Sequence, residues 1–134
     1  MKRIARIAAV TALAAGLTTA AAGAAHACSC APATEEQLFQ RADHVFQGRI
    51  LAKVAEPGQQ VRYRVVVYKE RKGDVPRYVS VISAASEASC GIGLKVGKDY
   101  LIYAKGDAGD REVETGLCSG TRLVSEGIPA ACRN

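Results

Sequence analysis

From residue 44 onward, apolar and polar positions alternate through much of the chain. In HVFQGRILAKVA, residues 44–55, Phe46, Ile50, Ala52 and Val54 fall on one side of an extended segment and Gln47, Arg49 and Lys53 on the other. That is the period of a half-buried strand. Pro57-Gly58 then turns the chain. VRYRVVVYKE (61–70) continues as a second strand, KGDVP (72–76) turns again, and RYVSVIS (77–83) is a third. DYLIYAK (99–105) and EVETGLC (112–118) supply a fourth and fifth around the loop GDAGD. Ahead of these, Thr34-Glu35-Glu36-Gln37 forms a capping-box start, with Leu38, Phe39 and Ala42 following at helical spacing. The pattern predicts a short helix over about 34–42. A mainly β fold follows. Five strands with short connections fit a closed or nearly closed five-stranded barrel better than a sandwich, which usually needs about seven.

The region before residue 28 has a different character. Lys2, Arg3 and Arg6 precede a long Ala/Val/Leu/Ile/Thr run, and the segment closes on Ala25-His26-Ala27. This is the layout of a signal peptide cleaved after Ala27. A membrane anchor is disfavoured because the apolar stretch is short, rich in Ala and Thr, and lacks a stop-transfer flank. The mature chain would run from Cys28 to Asn134 with no internal repeat, enough for one domain and too short for two. It would be secreted or periplasmic, with no membrane attachment after cleavage. Without Lys2, Arg3 and Arg6, the 18 Lys and Arg fall to 15 against 13 acids, so the net charge of +5 falls to +2. The basicity belongs largely to the leader, and with it goes the electrostatic case for a nucleic-acid partner.

Five cysteines remain: Cys28, Cys30, Cys90, Cys118 and Cys132. In an exported chain they suggest a disulfide framework. Cys28 and Cys30 point to the same face of an extended segment, yet a bridge between them would close a very small, strained and reducible ring. If each instead pairs with a distant partner, the new terminus is pinned rather than frayed. A thioredoxin-like exchange site expects two residues between its cysteines and a βαβ setting, and a structural zinc site expects paired finger spacing; the sequence offers neither. A lipoprotein reading of Cys28 would leave four cysteines, an even number, but its signal usually has Leu three residues before the cysteine, and here Ala25 and His26 occupy the informative positions. His44, beside Asp43 at the helix-to-strand junction, is expected to be solvated or to act as a cap. An enzyme is not indicated: the mature chain has one His, no Trp, and no nucleophile or paired-carboxylate spacing, while Asp107 and Asp110 read as turn residues. No cofactor is implied.

Taken together, CSCAP at the mature terminus, EEQLFQRAD leading into a strand, YKERKGD, SEASCG, DYLIYAKGD and GLCSG resemble the N-terminal inhibitory domain of the tissue inhibitors of metalloproteinases, over Cys28 to about Leu123. The resemblance implies a netrin-like, oligonucleotide-binding-type barrel over residues 28–134, with bridges from Cys28 to Cys90 and from Cys30 to Cys118. It implies that the free amine and carbonyl of Cys28 chelate the catalytic zinc of a target metalloprotease. Ser29 would enter the first primed pocket, Cys30, Ala31 and Pro32 would lie along the cleft, and Glu87, Ala88, Ser89 and Cys90 would form the adjacent rim. The family's third bridge would need a cysteine at Gln40, which leaves Cys132 unpaired, in a monomer or in a disulfide-linked dimer. The family's C-terminal domain has no counterpart, and the connection at Glu56–Gln60 is short where many relatives carry a long hairpin. The other reading is a secreted netrin-like interaction module that inhibits nothing.

Overall fold

The structure is a computed structural model that describes residues 28–127. The leader and Cys132 lie outside the described residues.

Helix α1 spans Glu35–Arg41. Its start is the capping box expected from the sequence: the Gln37 N–H donates to the Thr34 hydroxyl at 3.2 Å, and the Thr34 N–H donates to the Gln37 side-chain oxygen at 2.9 Å. At the other end Lys72 Nζ donates to the Phe39 and Gln40 carbonyls at 2.9 and 3.1 Å, placing a cation on the negative end of the helix. Leu38 and Phe39 pack onto Ala42, Val45, Leu101 and Tyr103, so the helix lies against one end of the sheet.

Six strands follow: β1 His44–Glu56, β2 Gln60–Lys72, β3 Tyr78–Ala84, β4 Asp99–Ala104, β5 Glu112–Glu114 and β6 Arg122–Leu123. They form one mixed sheet in the order β5-β3-β2-β1-β4-β6, antiparallel except for the β3–β5 pair. Two features correct the five-stranded closed barrel. Residues 112–118 contribute only three residues of strand before turning, and Arg122–Leu123 adds a sixth strand against β4. The edge strands β5 and β6 do not pair, so the sheet is not closed. A single bridge, Lys105 to Glu114, joins the end of β4 to β5 through two 2.8 Å backbone bonds.

The main core gathers Phe46, Ile50, Tyr63, Val65, Val81, Ile102 and Val113, each at most 1% exposed. Fully burying side chains of this size contributes roughly 1.5–3 kcal/mol apiece. The simple alternation expected for β1 fails at both ends. His44–Gly48 is buried on both faces, Gln47 included, because α1 and Val45 cover the side opposite the main core. Bulges between Val45 and Phe46, Gln47 and Gly48, and Ile50 and Ala52 then rephase the strand. Beyond the last one, Lys53 stands opposite Tyr63 with its Nζ 5.8 Å from the ring, and Val54 turns outward opposite Arg62. Ala52 and Val54 therefore leave the inner face assigned to them from the sequence.

Candidate functional site

Residues 28–33 run without regular structure ahead of α1, where Thr34 caps the helix. Two disulfides hold this arm: Cys28 to Cys90, with Cα atoms 5.1 Å apart, and Cys30 to Cys118, 5.2 Å apart. The four cysteines of the described residues are thereby paired with distant partners, and the small Cys28–Cys30 ring does not form. Cys28 is half-buried; Ser29, Cys30, Ala31 and Pro32 are exposed.

The loop carrying Cys90 leaves β3 through Ala84 and forms a 3-10 turn at Glu87–Ser89. Cys90 closes that turn in the left-handed region, φ 63°, with its N–H on the Glu87 carbonyl at 3.0 Å. Gly91 returns the chain against β3, donating to the Ser86 carbonyl at 2.9 Å. A Cβ at Gly91 would lie 1.9 Å from the Ala84 carbonyl oxygen, so no side chain fits there. Glu87, Ala88, Ser89 and Cys90 are all exposed, and the Cys28–Cys90 bridge ties them to the arm. The sequence-derived site residues are thus brought together as two exposed strips joined by one bridge.

The loop carrying Cys118 is joined to the same platform. The Leu117 N–H donates to the Cys90 carbonyl at 2.9 Å, and a Cβ at Gly116 would come within 2.8 Å of that oxygen. Behind it, Thr115, Ser119 and Thr121 share hydroxyl hydrogen bonds of 2.8–3.0 Å. The Thr115 hydroxyl donates to the Tyr103 carbonyl at 2.8 Å, and the Tyr103 N–H donates to the Thr121 hydroxyl at 2.9 Å. This hydroxyl cluster anchors the loop to β4, and the sequence reading missed it; its trace is the crowding of Ser and Thr in TGLCSGT. Tyr63 does similar work after Cys90: its hydroxyl donates to the Ile92 carbonyl at 3.1 Å and accepts from the Leu94 N–H at 3.2 Å. Tyr63 therefore fixes the segment that follows the rim.

At the base of the arm, Arg122 grips Glu35 with two 2.7 Å bonds, joining α1 to β6. The Arg122 hydrogen bonds hold the Glu35 carboxyl below its ordinary range, with partial burial opposing them. His44 departs from the expected solvated or capping role. It is buried, with Nε2 2.8 Å from the Gly106 carbonyl, while the Asp43 carboxylate accepts the Gly106 N–H at 2.9 Å. The pair clamps the β4–β5 connection. Asp107 and Asp110 accept the Gly109 and Glu112 N–H groups and so serve that turn. Among the described residues, no group of three or more His, Cys, Asp or Glu is placed to hold a metal, and no helix is long and apolar enough to cross a membrane.

The described residues thus present a doubly tethered arm beside the Glu87–Cys90 loop. Comparison with known proteins gives this arrangement its context. A family profile described as "Tissue inhibitor of metalloproteinase" matches residues 26–125. Metalloproteinase inhibitor 2 of Homo sapiens is 32% identical over 105 residues, a match covering 70% of this chain and 47% of the human protein. Metalloproteinase inhibitor 3 of Xenopus laevis is 33% identical over 100 residues, covering 71% of this chain and 46% of its own length. The chain spans about half the length of these curated relatives. On the extent of the profile match, together with the relatives' identity and coverage, the chain belongs to the tissue inhibitor of metalloproteinase family, a family of inhibitors rather than enzymes.

Proposed function

We propose that this protein is an exported inhibitor of zinc metalloproteases, acting through an amino terminus that begins at Cys28 once the leader 1–27 is removed. The mature domain, residues 28–134, is read as a netrin-like relative of the oligonucleotide-binding fold. The observation that carries the functional reading is the double tether: Cys28 and Cys30 are bridged separately, to Cys90 and Cys118, on two loops that are themselves hydrogen-bonded together. A catalytic zinc in a protease holds three protein ligands and a replaceable water. The α-amine and carbonyl oxygen of Cys28 form an N,O pair that can take the water's place. An arm already ordered avoids roughly 1–2 kcal/mol of backbone entropy per residue on binding. Ser29 then addresses the first primed pocket, Cys30 to Pro32 follow the cleft, and Glu87 to Cys90 contact its rim. With Cys28, Cys30, Cys90 and Cys118 bridged, Cys132 is the odd cysteine, and the protein is a monomer unless Cys132 joins two copies.

One added residue tests this. An Ala ahead of Cys28 in the processed protein leaves both bridges in place but turns the amine into an amide that cannot bind zinc. The unextended form is expected to inhibit members of a zinc-metalloprotease panel, and the extended form to lose inhibition at an unchanged melting temperature. Equal inhibition by both removes Cys28 from the mechanism, and none by either favours an interaction module. The amine binds metal only when deprotonated, so inhibition by the unextended form is expected to weaken as pH falls below about 7.7–8.0.

A further inference from the structure

The outer face of β1, β2 and β3 has no part in the arm or its rim. Of the five large hydrophobic residues exposed among the described residues, Leu51, Val54, Tyr68 and Tyr78 lie there, 46–59% exposed. Strand register places them together. Arg64 sits between Ala52 and Ser80, Val66 between Arg49 and Tyr78, and Val54 opposite Arg62. Leu51, Arg64, Tyr78, Ser80 and Arg111 line one cleft of about 180 Å³. Tyr68 lies within the field of the Arg49–Asp99 ion pair, and Arg77 stacks 6.0 Å from the Tyr78 ring. Exposed apolar patches rimmed by polar groups mark interaction sites, and Tyr and Arg are enriched where protein interfaces concentrate their energy.

Charge selects the occupant. Most acids of this face are already neutralised, Asp99 by Arg49 at 2.7 Å and Glu56 and Glu112 by Arg62 at 2.7 and 2.6 Å, while Glu114, beside Ile82, makes no ion pair among the described residues. Arg64, Arg77 and Arg111 are exposed and make no ion pair among the described residues. A second copy of the face would oppose arginine with arginine. The chain's own remaining segments carry Lys2, Arg3, Arg6 and Arg133 and no acid, so they cannot complement it either. The aliphatic Leu51 and Val54 favour a partner that buries apolar area along with charge, which a bare polyanion does not. From the rim end, where Gln60 pairs with Ala84, the face extends along β2 from Arg62, two positions on and opposite Val54, to Tyr68, eight positions on and roughly 25 Å away at strand rise.

We propose that this face is a second docking surface, independent of the Cys28 arm, for an acidic protein surface carrying exposed aromatic or aliphatic side chains. The test uses the processed protein and a fluorescent random copolymer of glutamate and tyrosine as probe, with poly-L-glutamate, oligo-dT and heparin alongside. The copolymer is expected to bind several-fold tighter than poly-L-glutamate. The double variant Arg64→Ala/Arg111→Ala and the single variant Tyr78→Ala should each weaken it by about tenfold, with the melting temperature and any Cys28-dependent inhibition unchanged. Three results overturn the proposal: no copolymer binding at low salt, undiminished binding by both variants, or oligo-dT or heparin binding tighter with a steep salt dependence. The last would make the face a polyanion site.

Discussion

Removing the Cys30–Cys118 bridge separates what the double tether contributes to stability from what it contributes to inhibition. The variant is Cys30→Ser/Cys118→Ser; both positions are exposed, so the new hydroxyls remain solvated. The bridge closes a loop of sequence separation 88. With Cys28–Cys90 still closed, the loop it adds runs from Cys30 back across that bridge and on to Cys118, about 30 residues; chain-entropy reasoning then assigns it about 3.6 kcal/mol, and measured values usually come lower, so a loss of about 3 kcal/mol is expected. That is a large part of the roughly 5–15 kcal/mol that holds a domain folded. At roughly 4–8 °C per kcal/mol in a domain of this size, the melting temperature should fall by about 12–24 °C.

The arm feels a second effect. With Cys28 still bridged to Cys90 and Thr34 still capping α1, the residues Ser29–Ala33 become a loop fixed only at its ends. Reordering them on a protease costs roughly 1–2 kcal/mol per residue at most. Allowing for the remaining tethers, about 2–4 kcal/mol should be lost from binding, an inhibition constant raised about 30- to 1000-fold. Urea melts and inhibition titrations at a temperature where both proteins are folded separate the two quantities. A stability loss below about 1 kcal/mol would refute the entropic account of the bridge. Unchanged inhibition in a folded variant would refute the claim that an ordered arm matters.

Three further outcomes follow from the same geometry. Gly91→Ala forces a Cβ to within 1.9 Å of the Ala84 carbonyl oxygen; backbone must move, and a urea melt should show a loss of about 3 kcal/mol or failure to fold. Tyr63→Phe removes the hydroxyl that serves the Ile92 carbonyl and the Leu94 N–H beneath the rim, with an expected loss of about 1–3 kcal/mol by the same measurement. Glu35 has a depressed folded-state pKa through Arg122, so the pair's contribution is present above the ordinary carboxylate range and lost as pH falls through the folded value. Because both side chains are partly exposed, screening limits it to about 0.5–1 kcal/mol; Glu35→Gln should flatten the acid side of stability against pH by that amount, and an unaltered profile would exclude the pair.

Much of the fold is legible in local pattern. The capping box at Thr34 and the centres of β1 to β4 are set by side chains close in sequence, and such signals carry their meaning without tertiary context. The ends of elements are not. Residues 112–118 read as one strand because Val113, Thr115 and Leu117 alternate, but Gly116 must pass close to the Cys90 carbonyl and the Leu117 N–H is drawn to that same oxygen. The pull of a loop remote in sequence ends β5 after Glu114. The two residues of β6 are too few for any periodicity to register. At His44 the short reach of local reasoning shows again: its burial depends on Gly106, 62 positions away, and nothing beside it announces that contact.

The site and the outer face differ in legibility for one physical reason. Cys28 and Cys30 carry chemistry that composition alone makes conspicuous, and two sulfurs two positions apart on one face already disfavour each other as partners. Which distant cysteine each meets does not follow from that spacing; it depends on how the Cys90 and Cys118 loops are joined. Leu51 and Val54, by contrast, carry no chemistry, only phase. Period-two reasoning sends Val54 inward with Ile50, and it would stay there in a regular strand. The bulge between Ile50 and Ala52 adds one residue, and everything beyond it changes sides. Val54 comes out opposite Arg62, the exposed Lys53 takes the Tyr63 side with its Nζ over that ring, and Leu51 is left in the cleft beside Arg64. A single extra residue thus turns Ala52 and Val54, which a regular strand would send to the core, outward beside Arg64 and Arg62. Deleting Leu51 should therefore regularise β1 without moving Val54 from its place opposite Arg62: a Val54→Cys probe should still label as an exposed thiol in the deletion variant, while the cleft beside Arg64 loses one wall and copolymer binding falls.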